Sequence, residues 1–284
     1  MNSLIGLNKR VIRVIRVIKR IFTGFIDFKK AEHTWINSIR FNSPQTEITG
    51  HVLVVKNQKY AQIARICVAS FLHYHPISHV VIHCDSATFR SMKRNFKFGI
   101  HSSRVRIDCD QDDGKSWQDL KLQLILSLNG TPDFVMDADL KWNGPLGELK
   151  GVTFFVKETP FNSDKIYEAL FEKLGIISKS NESMKNTSFF SWNGITYTQE
   201  DVRYLKNLLS QIYQESKNLN VFPEEQASLI RISEQLALSL FIKDTEATYL
   251  KVSDTQFDGS FVESSYFGAT GTKFGKFGIT SRKF

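Results

Sequence analysis

From His51 to Leu140 the chain alternates two kinds of apolar pattern. Short continuous runs at His51–Val55, His79–Cys84, Arg104–Ile107 and Phe134–Met136 are bounded by polar or turn residues and predict buried strands. Between them lie segments whose apolar residues recur at helical spacing. These are Tyr60–Tyr74, with Ile63, Ile66, Cys67 and Phe71 on one side, then Ser86–Lys97, then Ser116–Leu128, rich in Leu and Ile. Strand alternating with helix predicts βαβ units and an α/β domain with a mostly parallel central sheet flanked by helices. Such sheets collect ligands at the carboxyl ends of their strands. Asn57, Tyr60, Asp85, Asp137 and Asp139 all fall at or just past those ends.

The segment from Pro132 to Pro145 draws the pattern together. A Gly-Thr-Pro turn at Gly130–Pro132 leads into the buried strand Phe134–Met136, and the strand ends on Asp137-Ala138-Asp139. Residues two apart on an extended segment point to the same side, so these carboxylates face one way. Two hard oxygen ligands suit a Mg²⁺ or Mn²⁺ that also holds a diphosphate. The sequence has two other Asp-x-Asp triplets, Asp108/Asp110 and Asp110/Asp112, but both sit in the polar run Asp108–Lys115, which reads as a solvated loop. Only the Asp137 triplet has a hydrophobic strand before it and a turn after it.

Composition narrows the function classes. A chain of 284 residues with 42% apolar content can bury a full core. The three cysteines, Cys67, Cys84 and Cys109, are widely spaced and read as reduced thiols. All seven histidines lie at or before His101 without metal-ligand spacing to the cysteines, which disfavours a zinc enzyme. No G-x-G-x-x-G follows the first strand and no G-x-x-x-x-G-K occurs, against a dinucleotide dehydrogenase or a P-loop enzyme.

The net charge of +8 is concentrated at one end, because residues 1–30 carry eight basic side chains against Asp27 alone. The nearly neutral remainder gives no sign of nucleic-acid binding. Within the leader, Leu4, Leu7, Val11, Val14, Val17, Ile18, Ile21, Phe22 and Phe25 share one helical face, opposite Arg13, Arg16, Lys19 and Arg20. It has no uncharged apolar run long enough to span a bilayer. A basic face opposite a wide aliphatic one predicts an N-terminal amphipathic helix lying on an anionic membrane surface. The alternative is a helix docked on the protein's own domain or on a partner. The expected organisation is therefore a basic amphipathic helix over 1–30, a linker over 31–50 and a folded domain over 51–284. The expected location is cytoplasmic, peripheral on the inner face of the membrane.

A Rossmann-like half sheet closed by Asp137-Ala138-Asp139 resembles the nucleotide-binding half of a GT-A glycosyltransferase. Val54-Val55-Lys56-Asn57-Gln58-Lys59-Tyr60-Ala61, leading to Ser70-Phe71-Leu72, is similar to the opening of the family that includes glycogenin and bacterial lipopolysaccharide galactosyl- and glucosyltransferases. Asn186-Thr187-Ser188-Phe189-Phe190 resembles that family's Asn-Ser/Thr-Gly-hydrophobic strand, and Glu224-Glu225-Gln226 its Asp-Gln or Asp-Glu segment. Two departures stand out. Ser188 takes the place of a glycine, and the C-terminal His-x-x-Gly-x-x-Lys element has no histidine, Ser265–Gly268 with Lys273 being its nearest echo.

The resemblance implies transfer of a sugar from a nucleotide-sugar, expected to be a UDP-sugar, to a saccharide or lipid-linked acceptor, as in polysaccharide biosynthesis. It implies Mn²⁺ or Mg²⁺ on Asp137 and Asp139. Donor contacts are expected from Asn57, Tyr60, Asp85, Lys121, Asp137, Asn186 and Lys273, with catalysis by Glu225 and Gln226. Bland readings stand beside these: Tyr60 as a packing residue, Asp85 as a helix N-cap, Lys121 on a solvated face and Pro223-Glu224-Glu225 as a helix start. Trp142 and Trp192 either line an acceptor site or belong to the core. The competing functions are a catalytically silent membrane-tethered scaffold of the same fold and a sugar nucleotidylyltransferase.

Overall fold

A computed structural model describes residues 47–55, 60–96, 102–109, 114–140, 142, 146–176 and 182–250, all within one compact unit. The leader 1–30, the linker up to residue 46, Asn57, Asp110, Asp112 and Lys273 lie outside the described residues.

The first half follows the alternation read from the sequence. Strands β1 (Thr49–Val54), β2 (His79–Cys84), β3 (Val105–Cys109) and β4 (Phe134–Met136) are joined through helices α1 (Tyr60–Tyr74), α2 (Ser86–Phe96) and α3 (Trp117–Ser127). They pair in the order β3-β2-β1-β4, all parallel. The second half extends the same sheet differently. Strand β8 (Phe189–Ser191) runs antiparallel to β4, β5 (Val152–Phe154) antiparallel to β8, and β9 (Ala247–Tyr249) parallel to β5. A separate antiparallel pair, β6 (Lys157–Pro160) with β7 (Ser183–Lys185), stands beside the seven-stranded sheet. Helices α4 (Lys165–Lys173), α5 (Gln199–Asn218), α6 (Pro223–Arg231) and α7 (Ser233–Phe241) complete the described chain.

Alternation along β4 divides the core between the two faces of the sheet. Phe134 meets Phe71 of α1 edge-on and stacks on Phe189, and Trp142 closes the same aromatic group. Gly50 of β1 lies so close beneath Phe134 that a Cβ there would come within 3.0 Å of its ring, which explains the missing side chain. Val135 points the other way, into a cluster with Leu122 and Ile125 of α3, Leu208 and Ile212 of α5, and Leu236 and Leu240 of α7. Burial of this kind, at roughly 25 cal/mol per Å² of apolar area, is the main force holding the helices to the sheet.

Helix α3 begins in a capping box: the Ser116 hydroxyl accepts from the Asp119 amide at 3.1 Å, and Asp119 Oδ2 accepts from the Ser116 amide at 3.3 Å. Because α3 connects the end of β3 to the start of β4, its N-terminus lies at the carboxyl edge of the parallel strands. A buried polar node fixes the other half. The Lys185 ammonium, fully buried, sits 2.8 Å from Asp244 Oδ1 and donates to the carbonyls of Ser183 and Ser239, while Lys157 lies 2.6 Å from Asp244 Oδ2. This ties β6 and β7 to the segment after α7. Cys67 and Cys84 are buried free thiols and Cys109 an exposed one. Among the described residues no helix is long and apolar enough to cross a membrane.

Candidate active site

The alternation that puts Val135 on the α3 side puts Asp137 there too, just past the end of β4. Its amide donates to the Ser188 carbonyl at 2.7 Å, so the turn between β7 and β8 is laid directly against the Asp137-Ala138-Asp139 segment. Asn186 shapes that turn. Its Oδ1 accepts from the Ser188 amide at 2.8 Å, and its backbone bonds to Phe155 and Val156. Ser188 does not adopt a positive φ; among the described non-glycine residues only Asn193 does. The backbone therefore accepts serine where the resembling family carries glycine.

Lys121 is not on a solvated face. It reaches inward from α3, 4% exposed, and its Nζ lies 2.7 Å from Asp137 Oδ1, 3.4 Å from Glu234 Oε1 and 3.3 Å from the Thr187 hydroxyl. Thr187 in turn donates to Glu234 Oε1 at 3.1 Å. Burial works against the ammonium, but the charges of Asp137 and Glu234 outweigh it and raise its pKa above the ordinary lysine value. Burial also raises the Glu234 carboxyl, with Lys121 pulling the other way. Asp139, 7% exposed, is pushed up to about 7 by burial and then by the charge of Asp137. Cys67, whose thiol faces the Asp137 carbonyl at 3.4 Å, is raised by burial and by both aspartates.

The donor set bears on the divalent ion. Among the described residues no group of three or more His, Cys, Asp and Glu side chains is arranged to hold a metal. Asp137 and Asp139 nevertheless offer two hard carboxylates, and Mg²⁺ or Mn²⁺ held by one or two carboxylates is completed by phosphate oxygens and water. Two carboxylates, Asp137 and Glu234, meet the one ammonium of Lys121, while burial first and the charge of Asp137 second raise Asp139 beside them. By donor chemistry alone, Asp137 and Asp139 are the pair suited to a divalent cation.

A second layer of polar groups edges this floor. Exposed Glu158 of β6 accepts from Asn186 Nδ2 at 2.7 Å through Oε1, and from Gln235 Nε2 at 3.3 Å through Oε2. Asn186 is thus at the site with Asp137, Asp139 and Lys121. Tyr60 is half-buried at the first position of α1, and Asp85 is buried at the end of β2. Asp85 Oδ1 accepts from the amide and hydroxyl of Thr88 at 2.8 and 2.7 Å, the N-cap role for α2.

The Glu225-Gln226 pair lies elsewhere. Glu225 caps the exposed start of α6, accepting from the Phe222 amide at 3.0 Å, and Gln226 donates to the Lys217 carbonyl at 2.6 Å. The acid–amide pair that meets the cluster is Glu234-Gln235, at the start of α7. Thr187, Glu158, Glu234 and Gln235 are the site residues that sequence reasoning missed. A signal for Glu234 was present: it is an acid in the otherwise largely apolar run Ser233–Phe241. Trp142 and Trp192 are both core residues.

No family model and no curated protein sequence matches the chain. Among solved structures, the galactosyltransferase LgtC, in complex with donor and acceptor sugar analogs, is 12% identical over 71% of this chain and 73% of its own, with a TM-score of 0.46. Mouse xyloside xylosyltransferase 1 is 9% identical over 72% of this chain and 85% of its own, with a TM-score of 0.41. Mannosyltransferase PcManGT from Pyrobaculum calidifontis, in complex with GDP-Man and Mn²⁺, is 11% identical over 76% of this chain and 78% of its own, with a TM-score of 0.32.

Proposed function

We propose that the chain is a glycosyltransferase of the GT-A type, moving a sugar from a nucleotide-sugar to a saccharide or lipid-linked acceptor. The observation that carries this reading is the cluster of Asp137, Asp139, Glu234 and Lys121 at the carboxyl edge of a parallel sheet. Glycosyl transfer expels a nucleoside diphosphate, whose developing charge has to be neutralised at the sheet edge. Asp137 and Asp139 are the residues that would hold Mn²⁺ or Mg²⁺, and the ion when bound supplies Lewis-acid stabilisation of the departing diphosphate.

The rest falls to the chain's own groups. Lys121 fixes Asp137 and Glu234 relative to each other, so the site is ordered before ligand arrives. Glu234, buried and bonded to Thr187, adds a fixed carboxylate behind Lys121. Asn186 and Gln235, both held on Glu158, offer amide groups suited to sugar hydroxyls at the rim. A donor read by UDP and an acceptor reached at a membrane surface belong to the same proposal, the latter resting on the basic leader.

Thermal unfolding with UDP and Mn²⁺ tests it. Ligand at about a hundred times its dissociation constant adds roughly 2.7 kcal/mol, a shift of several degrees for a domain of this size. The expected result is a Tm rise with UDP and Mn²⁺ together that exceeds the effects of each alone. Asp137→Asn and Asp139→Asn should fold and lose that metal-dependent gain. A native protein unmoved by UDP or GDP with either metal overturns the reading and leaves the silent scaffold.

A further inference from the structure

Sugar-binding sites commonly need an apolar surface as well as hydrogen bonds, because a pyranose has a rim of hydroxyls and a face of C–H groups. An exposed indole supplies such a surface: it is large, rigid, and negative on its face where the C–H groups are positive. Trp142 and Trp192 are sealed in the core and have no free face to offer. Trp117 is 37% exposed. Other exposed large aromatics, Tyr204 and Phe222, sit elsewhere: Tyr204 leans on Phe241, and Phe222 heads α6.

Three features place Trp117 beside the site. It is the first residue of α3, whose N-terminus lies at the carboxyl edge of the sheet. The Ser116/Asp119 capping box fixes the backbone on either side of it, and its neighbour Gln118 is buried, donating to the Ile230 carbonyl at 3.0 Å. One helical turn on, Lys121 brings its Nζ 6.0 Å from the Trp117 ring centroid while holding Asp137 at 2.7 Å. The indole and the acidic floor are thus close enough for one ligand to touch both.

We propose that Trp117 is a stacking platform for a pyranose ring of the substrate, a role that rests on the glycosyl-transfer reading above. The ring belongs either to the nucleotide-sugar or to the acceptor saccharide, and both present the same C–H face.

Calorimetric titration of the full chain in Mn²⁺ separates these sources. UDP and GDP are compared with UDP-glucose, UDP-galactose and GDP-mannose, and lactose is added to protein saturated with a nucleoside diphosphate. The native chain should gain affinity from at least one sugar. Trp117→Ala should bind UDP and GDP as the native chain does and lose about tenfold for that sugar, the scale expected for a lost aromatic stack. Trp117→Phe should stay within about threefold, since a smaller ring keeps the face. Loss confined to a nucleotide-sugar assigns the donor sugar, and loss confined to lactose assigns the acceptor. The proposal is overturned if the native chain gains nothing from any sugar. It is overturned equally if Trp117→Ala leaves every sugar unchanged, or weakens UDP and GDP as much as the sugars. Absence of nucleotide binding in the native chain is a different result, because it removes the glycosyl-transfer reading itself.

Discussion

Asp139 is the residue whose chemistry depends most on what surrounds it. Burial and the neighbouring Asp137 raise its pKa from 3.8 to about 7 in the folded chain. Between those values the native state holds a proton that the unfolded chain has released. Folding stability carried by this group is therefore fully present at low pH, falls as pH rises from about 4 to about 7, and is level above that. Asp139→Asn keeps the neutral shape and has no proton to lose. Urea unfolding of metal-free protein at about pH 5 and about pH 8 should show a steeper fall for the native chain than for the variant. Parallel curves would show that Asp139 is already ionised when folded. Asp244 acts in the opposite sense, held low by Lys157 and Lys185 despite its burial, and it cancels in the comparison because both proteins retain it.

At the scale of elements, α7 rather than α6 carries the site's third carboxylate, and two substitutions separate their roles. Lys121→Met leaves Asp137 and buried Glu234 without their counter-charge, and should cost about 3 kcal/mol in urea unfolding, as broken buried ion pairs do. Glu225→Ala should cost about 1 kcal/mol or less, the scale of a helix cap, and leave UDP binding unchanged. A loss of UDP binding in Glu225→Ala would return α6 to the site.

The same contrast shows what was legible beforehand. Strands β1 to β4 declared themselves as short continuous apolar runs bounded by polar or turn residues and helices α1 to α3 through 3.6-residue spacing, and the end of β4 singled out Asp137 and Asp139. Strands β5, β7, β8 and β9 are three residues each, too short for a period to register. The Glu-Gln pair occurs twice, at Glu225-Gln226 and nine positions later at Glu234-Gln235. Pattern alone does not say which pair faces the sheet edge. Lys121 was ambiguous because a lysine on an amphipathic helix ordinarily points to water. Only the two carboxylates waiting beyond the apolar layer draw it inward.

For the whole molecule the decisive asymmetry is electrostatic. Of the net charge of +8, nearly all lies in residues 1–30, while the remainder of the chain is close to neutral. We propose that this leader, which is outside the described residues, holds the domain on an anionic membrane surface. Each lysine or arginine near such a surface contributes on the order of 1 kcal/mol, fading over a Debye length of about 8 Å at physiological salt. Arg10, Arg13, Arg16, Lys19 and Arg20 fall within a stretch that also carries Val, Ile and Phe side chains able to sink into the headgroup zone. A lipid-linked acceptor would then meet the site at raised effective concentration, without any change in the chemistry at Asp137 and Asp139. Removing residues 1–30 should give a protein that still shows the UDP- and Mn²⁺-dependent rise in Tm but no longer sediments with anionic liposomes. The full chain should sediment at low salt and be released as salt is raised, because only the charged part of the interaction is screened. If both forms sediment equally, the leader is not the anchor and docks on its own domain or on a partner; the glycosyl-transfer reading then stands or falls on nucleotide binding alone.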